Sequence, residues 1–413
     1  MNTETLVINS GDTAWVLISA ALVMLMTPAL GFFYGGMVRK KNLLSTIMLS
    51  MVIASVIGIQ WILYGYSISF GPDKGGIIGG LEWLGLNTVG QSPSPDYAST
   101  VPHLAFMIFQ AMFAVITPAL ITGAFVERVN FCGFLVFTLL WSTIVYDPVA
   151  HWVWGIGGWL RGFGALDFAG GTVVHITAGV SALAMAIVLG KRKGYGDTTI
   201  EPNNIPYVII GAALLWFGWF GFNAGSALTA GGLASNAFVT TNTSAAAAGL
   251  TWLIISWTYR RPSVLGFVTG VVVGLVAITP GSGYVTPVAA IFIGVVSAVI
   301  SYFAILLRMK TGIDDSLDVF ACHGLGGIWG ALATGVFSSK AINPGGSNGW
   351  LYGNAGQFGI QAVTVIVVAV YAFVLTWLLA KIIDAMFGLR VKRVEEDIGL
   401  DVSQHAENAY GSF

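Results

Sequence analysis

Charge is what this 413-residue sequence has least of: Asp, Glu, Lys and Arg make up 9% of it, against about 25% in a soluble domain. A net charge of -1 leaves no basic surface for nucleic acid and no strong acidic field. Cysteine is nearly absent too. Cys132 and Cys322, each inside an apolar segment, are too sparse for a disulfide framework or a metal cluster, and both read as buried small hydrophobes. There is no phosphate-cradling loop, nucleophile motif or acid pair, so covalent catalysis is not expected and no cofactor or metal is called for. The first twelve residues hold Glu4 and Asp12 but no Lys or Arg, and so lack the basic start of a signal peptide.

What fills the chain instead is apolar: 56% hydrophobic residues and a mean hydropathy of +0.81. Runs long enough to span about 30 Å of hydrocarbon fall near 13–36, 43–70, 101–126, 131–150, 168–190, 205–224, 232–258, 263–279, 286–307, 321–338 and 357–388. The expected fold is therefore an all-α polytopic membrane protein with eleven transmembrane helices. An odd number places the two ends of the chain on opposite sides, and the positive-inside rule orients them. With the C-terminus inside, the cytoplasm receives Arg39, Lys40, Lys41, Arg128, Lys191, Arg192, Lys193, Arg260, Arg261, Arg308, Lys310, Lys381, Arg390, Lys392 and Arg393. Lys74, Arg161 and Lys340 remain outside, fifteen against three. Residues 1–388 form the membrane domain and 389–413 a polar tail.

Eleven divides as five plus five plus one, with halves at about 13–190 and 205–338 and the last helix at 357–388. Two five-helix halves would have opposite orientations, the inverted-repeat plan of many transporters. Each half ends in a segment opened by an aspartate and carrying a histidine. The first runs Asp167-Phe-Ala-Gly-Gly-Thr-Val-Val-His175 and the second contains Asp318-Val-Phe-Ala-Cys-His323. The loop residues Asp314 and Asp315 before it read as solvated or as helix caps.

An ionisable group within a membrane span is a functional candidate by default. Asp167, near the start of its span, can accept hydrogen bonds from the free N–H groups of a helix N-terminus. His175 lies eight residues on, about 12 Å deeper along a helix. A lone intramembrane histidine can be a packing residue, but two at equivalent positions suggest a shared task. Two ligands fall short of a zinc site. A proton relay or a hydrogen-bonding wall for a small polar solute suits imidazole, which donates from one nitrogen and accepts at the other near neutral pH. His103, His151 and His405 lie at membrane edges or in the tail and receive no role.

The aromatic residues hint at the solute. Phe109 and Phe113 share one helix face at i and i+4, Trp152 and Trp154 lie at the outer mouth, and Phe220 and Phe222 close the sixth helix. Aromatic belts are usually membrane anchors, yet the same residues could bind an ammonium-type cation through their π faces.

These motifs carry a resemblance. The Asp167–His175 segment, Gly218-Trp-Phe-Gly-Phe-Asn-Ala-Gly-Ser226, Phe32-Phe-Tyr-Gly-Gly36, Gly123-Ala-Phe-Val-Glu-Arg128, the Asp318–Gly324 segment and Gly399-Leu-Asp-Val-Ser-Gln-His-Ala-Glu-Asn-Ala-Tyr410 resemble the ammonium transporter (Amt/Mep/Rh) family, nearer its prokaryotic Amt branch. The resemblance implies a homotrimer in the cell membrane, each subunit with its own narrow apolar pore. By similarity, Phe113, Trp154 and Ser226 form the outer recruitment site, Phe113 and Phe222 the gate, His175 and His323 the pore lining, and Asp167 the supporting carboxylate. The spacing from Trp154 to Asp167 is one residue longer than usual, so Trp152 competes with Trp154. The polar tail reads by composition as a solvated end, whereas the resemblance implies a strap over the cytoplasmic face that couples subunits and lies where a PII-type protein docks. Two other functions compete with this one: an ammonium sensor signalling through the tail, or a passive neutral-gas channel of Rh type, against which the aromatic and Ser226 recruitment elements count.

Overall fold

The computed structural model describes residues 6–197, 200–259 and 261–411. Glu4 and Arg260 lie outside the described residues. With no water in hydrocarbon to satisfy free backbone groups, a spanning chain must bond to itself, and these apolar runs do so as helices. We number the long ones α1 (Ser10–Met37), α2 (Lys40–Phe70), α3 (His103–Thr122), α4 (Phe131–Phe163), α5 (Gly171–Leu189), α6 (Ile205–Gly225), α7 (Gly232–Tyr259), α8 (Val264–Ile278), α9 (Pro287–Thr311), α10 (Phe320–Phe337) and α11 (Ala355–Phe387). Ten of them are long and apolar enough to cross a membrane. The other, α8, has 15 residues, about 22 Å of helix, and is apolar along its length.

Burial shows what faces what. In α5, 83% of the most apolar window is buried inside the bundle, against 33% in α9 and α11. So α5 is central, while Ile291, Phe292 and Leu307 on α9 and Ile366 and Val370 on α11 point their apolar side chains outward. In water that surface would be a liability; toward lipid it is the expected face. Helix α1 packs along α6, and α5 lies between α11 and the start of α10. The crossing of α5 and α10 is very close. A Cβ on Gly179 would come 2.0 Å from the Gly324 backbone nitrogen, so only glycine allows the contact.

The two ends of the bundle differ. Short antiparallel hairpins, Asp73–Lys74 with Ile78–Gly79 and Pro93–Ser94 with Ala98–Pro102, cap the end that carries Trp154. The opposite end gathers the arginines and lysines around a buried ionic network. There Glu127 accepts from Arg39 at 2.8 Å and from Arg192 at 2.6 Å, and Arg192 also meets Asp314 at 2.9 Å. Asp314 is 1% exposed, so the expectation that it is solvated fails; a buried carboxylate needs charge partners and finds them in Arg192 and Arg128. Burial alone would push the Glu127 and Asp314 carboxyls up, but the guanidinium groups of Arg192, Arg39 and Arg128 hold both below the usual range.

The tail is ordered against this end rather than solvated. Its two short helices, α12 (Arg393–Ile398) and α13 (Leu400–His405), sit on the first turns of α2. The Leu400 N–H donates to Asn42 Oδ1 at 2.8 Å, and Asp401 accepts from the backbone N–H groups of Leu44 and Ser45. Glu396, 1% exposed, bonds Arg390 and the Lys193 backbone. One reading of the cysteines is corrected: Cys322 is buried, but Cys132 is exposed on α4, at an apolar face that turns away from the bundle.

Candidate functional site

Helices α5 and α10 open alike. Each begins with a π turn, Gly171–Ile176 and Phe320–Gly324, and each π turn holds the histidine. Asp167 accepts from four backbone N–H groups, those of Gly170, Gly171, Thr172 and Val173, at 2.6 to 3.0 Å. That saturates the carboxylate and satisfies the free donors of the helix start. At α10 the matching group is Asp315, which accepts from the Val319 and Phe320 N–H groups and stands eight residues before His323, as Asp167 does before His175. Asp318, expected to open that helix, instead adopts a left-handed φ of 57° and pairs with Arg308 at 2.7 Å.

The histidines meet in the middle of the bundle. Their Nδ1 atoms lie 3.3 Å apart and the rings stack at 30°, 5.3 Å between centroids. His175 also stacks on Trp219 and Phe222. Its Nε2 is buried with no partner in the protein. That free nitrogen faces a constriction of about 10 Å³ lined by Met26, Leu30, Ile116, Leu120, Leu215, Val272, Phe222, Trp219 and both histidines. The Trp219 indole N–H is occupied by Thr279 at 2.9 Å. Two imidazoles are therefore the free polar groups along an otherwise apolar throat, with room for about one water-sized molecule.

A cavity lies on each side of the throat. The larger, about 740 Å³, opens at the hairpin end and is lined by Phe113, Trp154, Asp167 and Ser226 among others. Phe113 and Phe222 pack 4.4 Å apart between this cavity and the throat, and Phe113 meets Trp154 edge-on at 5.9 Å. Trp154 is held at both ends: its indole N–H donates to the Asp167 carbonyl at 2.9 Å and its own carbonyl accepts from Arg161. The Ser226 hydroxyl donates to the Phe222 carbonyl at 2.9 Å, which leaves its oxygen lone pairs toward the cavity. Trp152 does not line it. That side chain packs on Trp159 and Tyr371 and donates to the Ile77 carbonyl. Phe220 stacks on Phe238 at 3.9 Å, away from the throat.

The second cavity, about 390 Å³, lies at the basic end and is lined by Tyr34, Trp252, Asp318, Cys322 and His323, among others. Burial pushes the Asp318 carboxyl up to about 7 against the opposing pull of Arg308. The sequence reading missed Gln110, which lines the larger cavity and whose Oε1 is buried without a donor. Its signal was present: a polar residue three before Phe113 in an apolar helix, on the same face. Asp315, expected to be solvated or a helix cap, caps α10; the eight-residue spacing that matches it to Asp167 also stands in the sequence.

A family model described as the Ammonium Transporter Family matches residues 14–410. An ammonium transporter of Bacillus subtilis is 50% identical over 402 residues, which cover 97% of this chain and 98% of that one. Ammonium transporter Amt1 of Archaeoglobus fulgidus is also 50% identical over 402 residues, 97% of this chain and all of its own. Among solved structures, Mep2 of Candida albicans superposes with a TM-score of 0.90 at 35% identity, covering 98% of this chain and 93% of its own.

Proposed function

Because the chain belongs to the ammonium transporter family, we propose that it recruits the ammonium ion at Phe113, Trp154 and Ser226, strips its proton near Asp167 and conducts ammonia past His175 and His323. The protein lies in the cell membrane with the hairpin end outside and the tail in the cytoplasm, and α8 serves as the eleventh span between two inverted halves. It assembles as a homotrimer, and a PII-type protein docks over the tail.

The observation that carries this reading is the throat: a constriction of about 10 Å³ with two imidazoles in it, lying between two cavities and closed toward the larger one by Phe113 and Phe222. Moving a bare cation into such surroundings costs several kcal/mol at least, and near 20 in the ideal limit. One or two cation–π contacts return about 2 kcal/mol each. The ion is thus held at the mouth and not passed. Removing its proton costs about 1.4 kcal/mol for each unit by which its pKa exceeds the ambient pH, so deprotonation is the cheaper way across. Asp167 has its acceptor positions filled by backbone N–H groups, so it is not the base; the proton passes to water in the outer cavity, from which it either returns outside or follows through the histidines. The free Nε2 of His175 accepts the first hydrogen bond inside the throat. Potassium has no proton to lose and is excluded.

Proteoliposomes of the purified protein test this with an ammonium pulse, potassium as control and His175→Ala alongside. A current that the mutant loses, or passes without selectivity, supports deprotonation with the proton following through the histidines. Internal alkalinisation without current means passage of neutral ammonia, the proton staying outside. Potassium permeation at a rate comparable to ammonium would overturn the reading.

A further inference from the structure

We propose that Gln60 and Asp147 form a proton-binding site inside the membrane, apart from the throat, in which one proton joins the Asp147 carboxyl to the Gln60 amide in a closed acid–amide ring. Neither residue lines the throat or the cavities beside it. Asp147 on α4 is 0% exposed and Gln60 on α2 2%. An ionisable side chain at such a place is costly and calls for a specific partner.

The hydrogen bonds around the pair are incomplete in an informative way. Gln60 Nε2 donates to Asp147 Oδ2 at 2.7 Å. The other two oxygens of the pair, Asp147 Oδ1 and Gln60 Oε1, are both buried and both lack a donor. No described Lys or Arg forms an ion pair with Asp147. The Ser69 hydroxyl is near enough to interact with the carboxyl but stands outside hydrogen-bonding geometry, and the Tyr146 hydroxyl meets no partner either. His151, one turn further along α4, is turned to other partners, the Ser69 carbonyl at 3.0 Å and Asp73 at 2.9 Å. A carboxylate here would therefore keep a full charge with one well-formed hydrogen bond and the more distant Ser69 hydroxyl. A single proton on Oδ1 removes the charge and donates to Gln60 Oε1, so one atom pairs both orphaned acceptors while the Nε2–H bond persists.

The backbone is shaped around the pair. The π turn Trp61–Gly65 begins directly after Gln60, and the π turn Ser142–Tyr146 ends directly before Asp147. Such turns widen a helix by one residue and recur at functional sites. Gly65 completes the seat, because a Cβ there would come 2.6 Å from both Nε2 and Oε1 of Gln60. The proton comes from bulk water. Bound, it makes the contact between α2 and α4 electrically neutral and closes it with two hydrogen bonds, next to the turns of α4 that carry Trp152 and Trp154.

Infrared spectroscopy of the full-length protein in lipid at neutral pH, with and without carboxyl-labelled aspartate, tests the site. The expected result is a label-sensitive protonated-carboxyl band, equivalent to one group per chain, that is absent from Asp147→Asn. Gln60→Met keeps the acid and removes its partner, so it should move the band toward that of an unbonded acid, and this variant carries the test if Asp147→Asn folds poorly. A native spectrum with no band that Asp147→Asn removes, or a band that Gln60→Met leaves in place, overturns the proposal. So does a missing band together with thermal stability that rises in sodium over choline, which would put a metal cation between the oxygens. The measurement reads no transport, so its outcome is separate from that of the passage described above.

Discussion

The Nδ1 atoms of His175 and His323 stand 3.3 Å apart, which allows one hydrogen bond and requires that one ring donate and the other accept. The two imidazoles therefore hold complementary tautomers, and the state of one fixes the state of the other. Replacing His323 by Phe keeps a ring and removes the bond. Ammonium flux should fall about tenfold, the worth of one hydrogen bond of about 1.4 kcal/mol, with folding intact. Flux into proteoliposomes at matched protein content measures it; an unchanged rate would mean that the pair is packing alone.

Asp167 satisfies four backbone donors and Asp315 two. Each buried donor left unpaired costs about 1–3 kcal/mol. Asp167→Ala should therefore lower the melting temperature in detergent markedly more than Asp315→Ala, with the native protein above both. The opposite order would contradict this accounting.

Trp154 lines the larger cavity and Trp152 does not. A cation–π contact of about 2 kcal/mol corresponds to a rise of roughly thirtyfold in half-saturating ammonium for Trp154→Leu. Trp152→Leu should cost stability through lost packing and leave half-saturation within about twofold. Gln110→Leu removes a buried acceptor that has no protein donor, so stability should hold or rise while half-saturation increases. Concentration dependence of the transport current, read beside thermal unfolding, separates the three.

The carboxyl of Asp318 is pushed up to about 7 by burial, above its value of about 4 in the unfolded chain. The neutral acid is thus favoured by folding, and the stability it contributes is full below about pH 4 and lost as pH rises through 7. The depressed carboxyls of Glu127 and Asp314 act the other way: their contribution is present above about pH 4 and lost as pH falls through their folded values. Asp318→Asn should flatten the decline in melting temperature between pH 5 and 8, and Glu127→Gln should flatten the decline on acidification. A native protein as stable at pH 8 as at pH 5, with Asp318→Asn no different, would sink the first half.

The ordered tail reaches the start of α2 through Asn42, Leu44 and Ser45 and the loop after α5 through Lys193. Deleting the residues after Gly388 should reduce transport several-fold without preventing insertion or folding. Normal flux from the truncated protein would reduce the tail to a passive cover.

Composition and period were enough to read an all-helical membrane bundle, because a chain in hydrocarbon must satisfy its own backbone and its helices must present apolar side chains to lipid. Asp167, His175 and His323 stood out for a related reason, since an ionisable residue inside an apolar run is costly there, while the Phe113 face stood out by its aromatic spacing. What the chain alone could not decide depended on contacts between segments far apart in it. It did not tell Trp152 from Trp154, since the two differ only in which neighbours meet them, Tyr371 in one case and Phe113 in the other. Asp314 looked solvated because its partners Arg192 and Arg128 come from other loops. The same holds for Gln60 and Asp147, 87 residues apart, whose missing donors appear only once two helices are side by side. The apolar character of a segment can be read from its own residues; which side chains are buried and how their polar atoms pair is fixed only when the helices pack, as Cys132 and Asp314 show.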